Sequence, residues 1–344
     1  MVWPLTRVHP LGWALYEELT SGQQTQLDIN AASGADGTLW TDVALVKQFT
    51  SHSSGWPCDV IVWHEPGKSW HRFEASPFHT FALRSFEGRP HWDVLPEVLE
   101  DGSGFTPRAA ASSGQLIIVA GDPTLAAVTK YRTSSTNGDS WVARNSSDAT
   151  SSGVRCICWH SGASMFVSGL DDGIIETSPI SGAAWTTRHA AGAAVIAVAS
   201  SGVAIIALVA ASATVLRSVD GITWTAINPG LGGWTSVAFN PYTGKFLLTS
   251  SGNFASSDDD GATWTLGANP AIADAVRVAA FRRLWLVLRD VDDATSRLLY
   301  GTDGLNWSVA AEFGGTGKAL AVSSGRVAVI DSDSNFYLSA AGGF

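Results

Sequence analysis

One short pattern recurs along the chain and limits what it can fold into. STNGDSW ends at Trp141, SPISGAAW at Trp185, SVDGITW at Trp224, SDDDGATW at Trp264 and GTDGLNW at Trp307, in steps of 44, 39, 40 and 43 residues. A period near 40 is the size of one supersecondary unit that cannot bury its own apolar faces and must stack on copies of itself. Between these turns the sequence keeps one rhythm. An apolar strand, a Ser-Gly-type turn, a second apolar strand, a third strand, the motif and a fourth strand follow one another, as in VRCICWHS, SMFVSGLD, GIIETSPI and AWTTRHA. Four short strands per 40 residues are the blades of a β-propeller.

Residue chemistry gives the motif a turn's tasks. Asp220 is placed to accept hydrogen bonds from the amides that follow it, and Gly221 supplies the left-handed backbone that other residues adopt only at a cost. Trp224 opens the next strand with a broad face for packing against a neighbouring unit.

S-x-D-x-G-x-x-W and its shorter form S-x-D-G-x-x-W resemble the Asp-box, or BNR repeat, of sialidases, sortilin-type receptors and phage-borne propellers. Ser257, Asp259, Gly261 and Trp264 match the long form, and Ser218, Asp220, Gly221 and Trp224 the short one. The other three copies depart from it. Asn137 stands for the aspartate before Gly138 and Trp141, the copy with Gly182 and Trp185 has no acid, and Asp303, Gly304 and Trp307 follow Gly301 instead of a serine. The resemblance covers about residues 106–344. It implies that the boxes lie at the blade periphery, between third and fourth strands, away from the face where such propellers bind ligands.

The last unit, KALAVSS, RVAVIDS and NFYLSAAGGF, supplies three strands, and an open ring would expose unpaired edges. SFEGRPHW at 85–92 reads as a distorted box, so HWDVLPEV is expected to pair with residues 335–340 and close the final blade. The expectation is an all-β, six-bladed propeller over residues 85–344, with seven blades as the alternative. Residues 85–105 would be its closing strand and linker, and residues 1–84 a mostly-β region for docking onto other proteins.

Charged residues are only 15% of the chain and the net charge is -10, which excludes a broad nucleic-acid footprint because phosphate binding needs a basic face. No basic-then-apolar leader opens the chain as given, and the longest apolar run, VIAVASSGVAIIALVA, breaks at Ser-Ser-Gly, so neither export nor membrane insertion is expected. Cys58, Cys156 and Cys158 form no disulfide framework. In WHEPGKSWH the histidines are seven apart around Pro66-Gly67, unlike the four-residue spacing of a zinc helix, so His52, His64, His71, His79 and His91 read as packing or surface residues. No metal or cofactor is expected. The acid runs at 258–260 and 290–293 read as solvated turns.

If the boxes mark the lower face, the start of each innermost strand faces the upper one. Arg108, Arg155, Arg277 and Lys318 stand there, and a partial basic ring is a candidate site for a carboxylate or acidic sugar. Sialidase chemistry is not expected. The Phe/Tyr-Arg-Ile-Pro motif is absent, and Tyr16, Tyr131, Tyr242 and Tyr300 are not expected to reach the upper mouth. Glu312 and Asp274, in the upper linkers, would imply a different glycosidase reaction. The sequence therefore favours a non-catalytic, structural or receptor-facing part of a phage tail or similar virion particle, present in several copies. It would dock to other tail proteins through residues 1–84 and present the propeller to a host-surface protein or glycan. The alternatives are a glycoside hydrolase acting on acidic surface glycans and a protein-binding scaffold.

Overall fold

In a computed structural model, the structure describes residues 46–48, 60–75, 80–86, 93–95, 105–123, 129–269, 272, 274–323, 325–333 and 336–339. They form seven four-stranded antiparallel sheets arranged as the blades of a propeller. Blade 1 is β2 (Val60–His64), β3 (Ser69–Ala75), β4 (Thr80–Phe86) and β5 (Asp93–Val94), where the strand before it in sequence, β1, is Val46–Gln48. Blade 2 is β6 (Phe105–Ser112), β7 (Ile117–Pro123), β8 (Thr129–Ser134) and β9 (Val142–Asn145). Blade 3 is β10 (Val154–His160), β11 (Met165–Leu170), β12 (Ile174–Pro179) and β13 (Thr186–Ala190). Blade 4 is β14 (Val195–Ser200), β15 (Ile205–Val209), β16 (Val215–Ser218) and β17 (Thr225–Ile227). Blade 5 is β18 (Ser236–Asn240), β19 (Lys245–Ser250), β20 (Asn253–Ser257) and β21 (Thr265–Ala268). Blade 6 is β22 (Ala275–Phe281), β23 (Leu284–Asp292), β24 (Thr295–Gly301) and β25 (Ser308–Gly314). Blade 7 takes β26 (Gly317–Val322), β27 (Val327–Asp331) and β28 (Phe336–Leu338) from the end of the chain and β1 from its beginning.

The ring therefore has seven blades, the alternative to the six expected, and an N-terminal strand does close it, although not the expected one. Val46, Lys47 and Gln48 pair with Leu338, Tyr337 and Phe336. Residues 93 and 94 pair instead with Arg84 and Leu83 of β4. Residues 93 and 94 complete the sheet begun by β2, β3 and β4, which leaves the outer edge of the last blade to the earlier strand β1. Residues 60–84 are consequently part of the propeller, and the expected boundary at 84/85 falls inside β4. The first 45 residues, including Tyr16, lie outside the described residues, as do Cys58, His52, His79 and His91.

The core is divided among the junctions between blades. Seven apolar clusters each join two neighbours. One holds Ile61, Trp70 and Leu83 of blade 1 against Ala328, Ile330 and Phe336 of blade 7. Another sets Phe73 and Val60 against Val119 and Phe105. The second strands are sandwiched on both sides, which is why they read as unbroken apolar runs: Ile117 to Ala120 and Val327 to Ile330 are all buried. Fourth strands such as β13 and β17 are largely exposed. The inner strands touch their neighbours in cyclic order, β26 meeting β2, so every blade has two partners. Among the described residues no helix is long and apolar enough to cross a membrane.

Candidate functional site

The recurring turns join third to fourth strands, on the face opposite the linkers between blades. In blade 4 the Asp220 carboxylate accepts from the amides of Thr223 (2.7 Å) and Ile222 (2.8 Å), and Ser218 Oγ accepts from Gly221 N at 2.8 Å. These amides, Thr223 first, hold Asp220 down to about 2. Asp259 is lowered to about 2 in the same way, by the hydroxyl and amide of Thr263. Asp303 accepts from Leu305 N and Asn306 N, which lower its pKa too. These three carboxylates are occupied with their own backbone.

The first turn departs from the sequence reading. Thr136, not Asn137, does the aspartate's work: its Oγ1 accepts from Ser140 N at 2.9 Å, while Ser134 Oγ accepts from Gly138 N at 2.9 Å. That copy is thus the long form, matching Ser257 Oγ on Gly261 N at 2.8 Å. Asn137 occupies the place of Asp260, and both have positive φ (53° and 57°). Each reaches back to the preceding blade, Asn137 Oδ1 to Ser69 Oγ (2.8 Å) and Asp260 Oδ1 to Ser201 Oγ (2.7 Å). An arginine of the preceding blade's third strand also donates to each backbone carbonyl, Arg84 to Asn137 O (2.9 Å) and Arg217 to Asp260 O (2.8 Å). The acid-free copy relies on packing, with Trp185 stacked on Tyr131 of blade 2 at 3.8 Å and 6°. Trp141 meets Phe73 of blade 1 edge-on at 5.5 Å. Gly182 also abuts blade 2, where a Cβ would lie within 3.0 Å of Leu116, Thr133 and Ile118. Trp224 packs in the junction of blades 3 and 4, Trp264 in that of blades 4 and 5, and Trp307 in that of blades 5 and 6. The turns are blade-to-blade clamps.

The four cations expected at the upper face do stand at the starts of inner strands. Arg108, Arg155 and Lys318 each fall at a register shift, the extra residue between Pro107 and Ala109, between Val154 and Cys156, and between Gly317 and Ala319. A bulge re-aims the side chain it carries. Arg277 directly follows such a shift, and its Nη1 donates to Val276 O at 2.9 Å.

The structure also supplies partners that the sequence reading missed. Arg108 Nε lies 2.7 Å from Asp122 Oδ2 and its Nη1 3.1 Å from Asp171 Oδ2, while Arg155 Nε pairs with Asp171 Oδ1. Asp122 and Asp171 stand at the upper ends of second strands, and Asp290 and Asp331 recur there in blades 6 and 7. The signal was present as GD, LDD, RD and ID closing four apolar runs. Burial raises Asp122 above the usual carboxylate range against the pull of Arg108. Arg108, Asp122, Asp171 and Asp172 line an open cleft of about 530 Å³ between blades 2 and 3, with residues 150–153 forming another wall. Asp172 accepts from Ile174 N (3.2 Å), lies 3.1 Å from Thr150 Oγ1 and has no ion-pair partner among the described residues.

Beneath this cleft lies a buried polar network. Glu176, fully buried on β12, accepts from Tyr131 Oη (2.8 Å), Ser146 Oγ (2.8 Å), Ser147 N (2.8 Å), Ser147 Oγ (2.6 Å) and Asp148 N (2.9 Å). Lys130, also fully buried, pairs with Asp148. Burial, followed by the charge of Glu176, pushes the Tyr131 phenol well above its usual value.

The remaining candidates have structural partners. His64 Nδ1 bonds Ser112 Oγ at 2.9 Å, and His71 Nε2 lies 3.0 Å from both Ser69 Oγ and Asn137 Oδ1. Burial pushes the Cys158 thiol up to about 12 and Cys156 higher still, so neither is a thiolate at neutral pH. Glu312 pairs with Arg297 at 2.6 Å. Among the described residues no group of three or more His, Cys, Asp or Glu side chains is arranged to hold a metal.

No protein-family model matches the chain, and no curated protein matches it in sequence. Solved structures do match its fold. U3-55K aligns with a TM-score of 0.66 at 12% identity, over 86% of this chain and 98% of that one. The WD40 repeats of RRP9 align at 0.65 and 12%, over 86% and 96%. YCF48 bound to D1 peptide aligns at 0.64 and 15%, over 86% and 96%. At these identities the likeness is one of fold: the chain is a seven-bladed β-propeller with WD40-type structural neighbours.

Proposed function

We propose that this chain is a non-catalytic propeller that binds a partner protein on its upper face, at the junction of blades 2 and 3. The observation that carries the reading is the open cleft there, whose arginines are already held by Asp122 and Asp171. Fixed, paired charges on a rigid rim suit recognition of a matching surface. In two tyrosine–carboxylate pairs, Tyr131–Glu176 and Tyr337–Asp331, the partners are buried and hydrogen-bonded to each other. A structural neighbour, YCF48, is recorded with a bound peptide, which supports peptide or protein recognition by a propeller of this shape.

The finer reading places this propeller in a phage tail or similar particle, facing a receptor. It is supported by the resemblance of the turns at 218–224 and 257–264 to those of phage-borne propellers, and by the chain that precedes β1, which offers an attachment segment. Crosslinking mass spectrometry on purified particles tests both levels. The expected result is the chain in the particle, with crosslinks from residues 1–45 to neighbouring tail proteins. Absence from particles overturns the tail reading. Ser151→Trp, which fills the exposed wall of the cleft, should abolish capture of the protein partner. Unchanged capture, or release of sugar from sialyl or uronyl substrates by the wild type, overturns the proposed function.

A further inference from the structure

We infer that the cleft between blades 2 and 3 receives a single arginine or lysine side chain from an exposed segment of the partner. This inference rests on the upper face being the protein-binding surface and names the chemistry it selects. The formal charges decide the sign. Three carboxylates, Asp122, Asp171 and Asp172, line the cleft with one guanidinium, Arg108. Arg155 adds a second cation through Asp171. Two cations against three acids leave one carboxylate over, and the ion pairs identify it: Arg108 engages Asp122 and Asp171, Arg155 engages Asp171, and Asp172 has only a hydroxyl and an amide.

The site is built around that carboxylate. Thr150 Oγ1 donates to Asp148 Oδ2 (2.5 Å) and approaches Asp172 Oδ2 (3.1 Å), and Ser152 Oγ accepts from Asp172 N at 2.9 Å. Residues 150–153 and Asp172 are thereby fixed to each other before a ligand arrives, which reduces the ordering cost of binding. Asp148 is tied in turn to buried Lys130. The basic ring read from the sequence thus has the opposite preference at this junction. An anion would have to displace Asp122 or Asp171 from the arginines, whereas a cation meets a carboxylate that no cation holds.

The test uses capped pentapeptides bearing a photoreactive group, Ala-Ala-Arg-Ala-Ala and its Gln and Glu analogues, with labelled residues mapped by mass spectrometry. The Arg peptide should label 150–153 and 171–172, and the Gln peptide roughly tenfold less, the worth of one charge-assisted hydrogen bond. Asp172→Asn keeps an oxygen for the Ile174 amide, so it should melt as the wild type does and lose the same factor. Asp172→Lys should switch preference to the Glu peptide. Asp258→Asn, an exposed acid in the blade 5 turn, should change nothing, which separates the site from general attraction to an acidic protein. Equal or stronger labelling of these segments by the Glu peptide would overturn the cation preference and leave the binding face standing. Labelling of neither segment by any peptide would overturn the face as well.

Discussion

Replacing Glu176 tests whether the junction of blades 2 and 3 is held by a buried charge. Its carboxylate takes five donors, two of them the amides of Ser147 and Asp148. In Glu176→Ala each donor without another partner costs about 1–3 kcal/mol. Three have alternatives: Tyr131 Oη has Ser168 Oγ at 2.7 Å, Asp148 N has Ser146 Oγ at 3.0 Å and Ser147 Oγ has Thr187 Oγ1 at 2.9 Å. The Ser146 hydroxyl and the Ser147 amide must then find other partners. The expected loss is about 3–5 kcal/mol, the usual cost of breaking a buried charged network. At the unfolding entropy typical per residue, that lowers Tm of a chain this long by roughly 4–7 °C. Glu176→Gln keeps one acceptor oxygen and turns the other into a donor facing donors, so about 1–3 kcal/mol is expected. Urea melts give the ranking, and hydrogen exchange gives the location: Ser147 and Asp148 amides should lose protection in the Ala variant while β19 and β23 amides keep theirs. A Glu176→Ala protein within about 0.5 kcal/mol of wild type, well below that range, with those amides still protected would refute the reasoning.

Three further outcomes are expected. Gly261→Ala puts a Cβ 2.3 Å from buried Ile206 Cδ1 at φ 80°, and should cost about 2–3 kcal/mol in a urea melt, partly recovered by adding Ile206→Val. His71, buried at the blade 1–2 junction, is lowered to about 4, chiefly by burial, with His64 and Arg84 lowering it further and Asn137 and Asp139 opposing. The unfolded chain therefore binds the proton first, and stability present above about pH 6.5 should fall between 6.5 and 4, a slope that His71→Gln should flatten. Thr136→Val should cost about 1 kcal/mol by freeing the Ser140 amide. Thr136→Asp should restore that bond and gain the acid sensitivity of Asp220, whose contribution is present above about pH 4 and lost as the pH falls toward 2. A Thr136→Asp melt that ignores pH between 4 and 2 would show that the side chain is not capping.

The repeat was legible because each turn must solve the same backbone problem with few residue types, and so Ser218, Asp220, Gly221 and Trp224 recur as Ser257, Asp259, Gly261 and Trp264. Blade 1 was legible only as an alternative, because its third-to-fourth connection, SFEGRPHW, lacks the serine–acid–glycine spacing of the others. The closing strand was illegible for a different reason. Val46–Gln48 pairs through backbone groups, which every residue carries, and three residues cannot display a period. In the candidate site the cations were found by position alone. Their partners were missed because an aspartate ending a strand reads as an ordinary turn residue until the neighbouring blade brings an arginine to it. Glu176 did leave a trace, a lone acid within the apolar stretch GIIETSPI, where a charge is tolerated only with several donors around it.

Blade 7 is assembled from the two far ends of the ring, which sets an order on synthesis. β1 leaves the ribosome early and has no sheet to join until β28 has followed it, about 290 residues later, or roughly 15–60 s at ordinary elongation rates. Six blades can form and stack in sequence during that interval, while the edge of β1 and the exposed flank of blade 1 wait. The nascent chain is thus a growing arc with one sticky end, and only release of the final strand converts it to a ring. A stop codon that removes β28 would therefore do more than shorten the protein: it would leave every copy with a free edge suited to pairing with another copy's.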